Sequence, residues 1–158
     1  MTVKAMKYQL FFLMLISSVV AFCLAVPVSS QASTIDWKGY DTGMTDAQDE
    51  GKKVLIHFRT DWCTYCRKMD ATTFKDEDVV TYLNDNFVPI LVDGDKEKKV
   101  ATKFGIKGYP TNWFLTEEVE RISSLPGYVD AKRFLLILKY IHTDNYKEMS
   151  FTDFVQSQ

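Results

Sequence analysis

The sequence predicts an α/β fold with a central mixed β-sheet flanked by helices on both faces, and three observations carry the prediction. Two continuous apolar runs of strand length, Val54-Leu55-Ile56-His57-Phe58 and Val88-Pro89-Ile90-Leu91-Val92, read as strands covered on both faces. Between them Val79, Val80, Leu83 and Phe87 recur at helical spacing. After them Thr111 to Thr116 and Glu120 to Leu125 read as an antiparallel hairpin, followed by a helix with a Phe134, Ile137, Leu138, Ile141 stripe.

The elements follow in order. Lys4 and Lys7 precede an uncharged run from Tyr8 to Val26, and small and polar residues continue through Ser33. This pattern predicts an export signal over 1–32, with Ser30 and Ala32 as the small residues before the cut. The other reading is a retained anchor, because the run is at the upper end for a signal and near the lower end for a membrane span. Lipidation at Cys23 is not expected, since Phe22 stands where a small residue would be needed. Residues 33–158 then form a single domain with a short helical extension.

Near Trp37 a short strand or turn is expected, then a helix from about Asp46 to Glu50 capped by Thr45 or Asp46 and stopped by Gly51. A helix from Thr64 to about Asp70 is interrupted by the β-branched Thr72 and Thr73, and Asp76 or Asp78 caps the next. The charged run Asp93 to Lys99 has its glycine misplaced for a calcium loop, and is expected to be a turn and a solvated helix start. Pro126-Gly127 ends the hairpin, Asp130 caps the long last helix, and Ser150 is a cap for a final turn near Phe151 to Val155.

The whole chain has 158 residues, a net charge of −2 and no basic cluster, so nucleic acid is not an expected partner. Of the three cysteines, only Cys63 and Cys66 lie outside the N-terminal apolar run. Trp62-Cys63-Thr64-Tyr65-Cys66 follows the first strand and opens a helix, the context of a redox pair. Two thiols on adjacent turns can close a small ring. Cys63, at the helix terminus, is expected to face solvent and attack, stabilised as thiolate by unpaired amides and the helix dipole. Cys66 resolves. A plain disulfide staple over so short a loop would constrain the unfolded chain little. Zinc would need two more ligands, and the spacing of His57 and His142 fits no finger or ribbon; neither metal nor cofactor is expected.

Three separated pieces resemble the thioredoxin superfamily: Asp61-Trp62-Cys63-Thr64-Tyr65-Cys66-Arg67-Lys68, Val88 to Asp95, and Phe104-Gly105-Ile106-Lys107-Gly108-Tyr109-Pro110-Thr111. The resemblance spans about Trp37 to His142. The third piece looks like the cis-proline loop of disulfide isomerase domains, and the Asp70-Ala71-Thr72-Thr73-Phe74 insert is closer to secreted bacterial thioredoxin-like reductases. The resemblance implies a thioredoxin fold in which the Tyr109-Pro110 bond is cis and its loop lies against Cys63 and Cys66. There Tyr109 offers backbone groups to an extended substrate and Trp62 edges the site. Plainer readings leave Pro110 as a strand-initiating proline, Trp62 as core and Tyr109 as a surface ring. Asp61, Arg67 and Lys68 are expected to be solvated, with Asp70 opposing the two cations.

His57 stands six residues before Cys63, where the family places a buried acid. It is either a satisfied core histidine or a neutral base for Cys66. The function implied is an exported thiol-disulfide oxidoreductase, periplasmic or secreted, or membrane-anchored and facing the periplasm. It would reduce protein disulfides, accept electrons from a membrane thiol donor and act as a monomer. The alternatives are an oxidase or isomerase, or a non-catalytic module that holds extended peptides.

Overall fold

The computed structural model describes residues 34–158, and the expected export segment lies outside them. Helix α1 (Tyr40–Glu50) precedes strand β1 (Lys53–Arg59), followed by α2 (Thr64–Ala71), a 3-10 turn (Thr73–Lys75) and α3 (Glu77–Asn86). Strand β2 (Phe87–Asp93), α4 (Lys98–Lys103), β3 (Thr111–Leu115), β4 (Arg121–Pro126) and α5 (Ala131–His142) complete the domain. A second 3-10 turn (Asn145–Lys147) and α6 (Phe151–Gln156) close the chain.

The sheet runs β2-β1-β3-β4, with β1 parallel to β2 and antiparallel to β3. It is mixed, as expected, and β1 lies inside it. The outer edge of β2 is covered by Lys38, which receives Leu91 N–H at 3.0 Å and donates to Pro89 O at 2.8 Å. Because successive side chains of a strand point to opposite faces, β1 feeds two cores. Leu55 joins Met69, Phe74, Leu83, Phe114 and Phe134 on the side of α2, α3 and α5. Val54, Ile56 and Phe58 join Ala47, Ile90 and Phe104 on the side of α1 and α4. Helices therefore cover both faces.

Three caps stand where their side chains predict them. Asp76 accepts from Val79 N, Asp130 from Arg133 N and Ser150 from Asp153 N. The first helix departs from expectation: it starts at Tyr40 with Gly39 as N-cap, and Thr45 is interior, its hydroxyl bonding back to Asp41 O at 3.2 Å. Phe87 likewise leaves the expected helical stripe to begin β2. Among the described residues no helix is long and apolar enough to cross a membrane.

Candidate active site

Strand β1 delivers the chain to Arg59, and a turn through Trp62 leads into α2. Cys63 is the N-cap of α2, with extended backbone, and its Sγ accepts the Cys66 N–H at 3.1 Å. The two cysteines form a disulfide with Cα atoms 5.2 Å apart. Cys63 keeps 5% of its surface and Cys66 none, so any approach to the pair is through Cys63. Around this narrow opening stand Trp62 and Tyr65, 66% and 62% exposed. Trp62 is therefore not core. Its indole N–H donates to Asp95 at 2.9 Å, and its ring meets Tyr109 edge-on at 6.0 Å.

The Tyr109-Pro110 peptide bond is cis. Pro110 O accepts from Gly127 N at 2.7 Å, while the Tyr109 backbone enters no turn or loop hydrogen bond among the described residues. Tyr109 is held by its ring, which lies so close to Gly94 that any Cβ there would strike it. Burial, with Asp95 and Asp93 nearby, raises the Tyr109 hydroxyl above its ordinary pKa, so the ring is a neutral contact.

In β1, His57 is fully buried between Phe74 and Trp37, at ring distances of 4.8 and 5.9 Å. Its Nδ1 lies 2.8 Å from Asn112 Oδ1, an acceptor, so Nδ1 carries the proton and Nε2 a free lone pair. Desolvation pulls the His57 pKa down to about 4; the Asn112 hydrogen bond opposes this and the Arg59 charge adds to it. Among the described residues Nε2 has no hydrogen-bond partner. Leaving such a group unpaired typically costs about 1–3 kcal/mol.

Nε2 faces Asp70 Oδ1 at 3.8 Å, beyond hydrogen-bond length, and Asp70 Oδ2 pairs with Arg59 Nε at 3.2 Å. The expectation that Asp70 opposes Arg67 and Lys68 is thus corrected. Arg67 reaches Asp61 O and Thr64, Lys68 covers the Tyr128 ring, and Asp70 turns inward to Arg59. Sequence reasoning also missed Asn112, Arg59 and Asp95 as site neighbours. A polar residue inside the apolar run Thr111 to Leu115 was the available signal for Asn112. Among the described residues no three His, Cys, Asp or Glu gather as a metal site.

A disulfide-bonded C-x-x-C at the start of a helix, behind a buried parallel strand, is the arrangement of a dithiol–disulfide redox pair on a thioredoxin fold. The chain belongs to the thioredoxin-like domain family, whose model matches residues 40–142. It is 30% identical over 104 residues to the thiol:disulfide interchange protein DsbD of Photorhabdus laumondii subsp. laumondii, covering 63% of this chain and 18% of that protein. The chain thus spans less than a fifth of that relative's length. Among solved structures it resembles a putative disulphide-isomerase from Bacteroides thetaiotaomicron, with 28% identity and a TM-score of 0.60 over 70% of this chain and 95% of that one. It also resembles the C-terminal domain of DsbD from Neisseria meningitidis, with 25% identity and a TM-score of 0.54 over 64% and 92%.

Proposed function

We propose that the protein is an exported reductase of protein disulfides, working through Cys63 and Cys66, with Trp62, Tyr109 and Pro110 receiving the client. The observation that carries this is the N-cap position of Cys63, whose sulfur accepts an amide N–H from α2 and is the less buried member of the pair. That hydrogen bond strengthens when the sulfur becomes a thiolate, lowering its pKa. The Cys63 thiolate attacks a client disulfide, forms a mixed disulfide and expels one client thiolate. Cys66 then loses its proton and attacks Cys63 Sγ, which re-forms the internal disulfide and releases the second client thiolate. Two electrons pass to the client, and a membrane thiol donor restores the dithiol.

His57 is the base for Cys66 in this scheme, directly or through one water. A neutral imidazole with a free Nε2 at working pH supports that role. Export rests on the residue pattern of 1–32, and a monomer is proposed for the domain.

The reducing direction is supported by the charges around the pair. Arg67 and Lys68 are engaged elsewhere, and the acidic Asp61 and Asp95 flank Trp62. The thiolate is then stabilised chiefly by the helix terminus, and a weakly stabilised reduced form is a good electron donor. The second reading, an isomerase, is favoured by the match to the Bacteroides protein. The equilibrium potential against glutathione separates them: a value near −270 mV, roughly that of thioredoxin, supports the reductase, and one near −180 mV, roughly that of disulfide isomerase, supports the second reading. Cys66→Ala should trap clients through Cys63, with weak trapping by Cys63→Ala. Equal trapping would refute the assigned order, and a Cys63→Ser variant with full function would mark a binding module instead.

A further inference from the structure

Helix α2 presents three residues toward the sheet at positions 66, 69 and 70, one stripe of a helical surface. Cys66 and Met69 are fully buried, and Met69 Sδ meets Asn112 Nδ2 at 3.9 Å. Asp70, one turn beyond Cys66, is half-buried and faces the unpartnered His57 Nε2 at 3.8 Å. It also lines a cavity of about 240 Å³ with Trp37, Phe74, Arg59 and Lys75. The carboxylate therefore stands between the buried imidazole and solvent.

We propose that Asp70 is a positioning residue for the release step, its carboxylate stabilising the His57 imidazolium that forms when Nε2 takes the Cys66 proton. This rests on His57 being the base for Cys66. With Nδ1 donating to Asn112, the proton taken from Cys66 can go only to Nε2, and the new Nε2–H has Asp70 Oδ1 as its acceptor. Closing 3.8 Å to a hydrogen bond needs a shift of about 1 Å. The proton then leaves His57 for the departing client thiolate or, past Asp70, for water in the cavity. No electron passes through either group, and the disulfide exchange stays balanced.

The charges around Asp70 fit the role. Arg59 from β1 pairs with it and with Asp61, Lys75 lines the same cavity, and Arg67 and Lys68 of its own helix are turned away. Burial raises the Asp70 carboxyl above its ordinary range and Arg59 pulls it back. Arg59 also disfavours a charged His57, so without Asp70 the imidazolium would have a cation nearby and no counter-charge.

The test is the release rate of a preformed Cys63 mixed disulfide in the full chain, from about pH 6 to above the roughly 8.5 of a free thiol. Asp70→Asn should slow release about tenfold at pH 7, less than the roughly hundredfold expected for loss of the base itself. The deficit should shrink at high pH, Asp70→Glu should restore the rate, and Asp70→Asn should add nothing in a His57→Gln background. Wild-type release with Asp70→Asn at every pH, or equal slowing in both backgrounds, overturns the proposal. Slowing by Asp70→Asn with a wild-type rate for His57→Gln overturns the assignment of His57 and this inference with it. A wild-type mixed disulfide that Cys66 does not resolve overturns the reductase reading as well.

Discussion

At position 57 the imidazole is fully buried, and burial makes it a pH sensor for stability. Its folded pKa of about 4 lies below the ordinary value of 6.5, so over that window the unfolded chain binds more protons than the folded one. Stability from this group is therefore fully present above pH 6.5 and is lost as pH falls through about 4. The loss is about 3 kcal/mol at about 1.4 kcal/mol per unit. Asp70 acts in the opposite sense, because its raised pKa makes the folded form take up its proton earlier on acidification than the unfolded chain does. His142, lowered chiefly by desolvation, acts in the same sense as His57. Urea midpoints at pH 7.5 and 4.5 should show wild type losing clearly more stability than His57→Leu. An equal loss in both would mean that the imidazole is not held neutral by burial.

Among the elements, what was legible was local. The caps Asp76, Asp130 and Ser150 act within three residues of themselves, so the sequence shows them directly. Helix α1 was read too short because its start contains Thr42 and Gly43, poor helix formers, and because Gly39 offers no capping side chain. Its reason for being helical is tertiary. Gly43 lies against Ile90 of β2, and a Cβ there would collide with the buried Ile90 side chain. Gly43→Ala thus sets two effects against each other. The helix gains up to about 1 kcal/mol of propensity. Overpacking costs about 1–3 kcal/mol where the neighbour cannot move away. Ile90 is inside a strand bonded on both sides, by β1 and by Lys38, so packing should win. Gly43→Ala should be destabilised by about 1 kcal/mol in chemical unfolding, and a variant more stable than wild type would show that α1 can lift off the sheet without loss.

For the whole molecule, periodicity revealed the strands and helices along the chain and most of the core, because each strand and helix declares its buried face in a few residues. The polar group around His57 was not legible in that way. His57 from β1, Asp70 from α2 and Asn112 from β3 meet only through the fold, and their spacing along the chain carries no period. The same fold joins two cores through one sheet, since β1 gives Leu55 to one and Ile56 and Phe58 to the other. Phe134 and Phe58 are the large buried rings to compare, one on each face. Replacing either with alanine should remove about 3–5 kcal/mol, from a total that for domains of this kind is about 5–15 kcal/mol. Because the strands are shared, each single variant should still unfold in one step, with far-ultraviolet and near-ultraviolet circular dichroism giving the same midpoint. The two sites share no cluster, so their effects should add, and the double variant should be largely unfolded at 25 °C. Separate transitions in Phe134→Ala, with the Phe58 side still folded, would show instead that the two faces of the sheet hold themselves together independently.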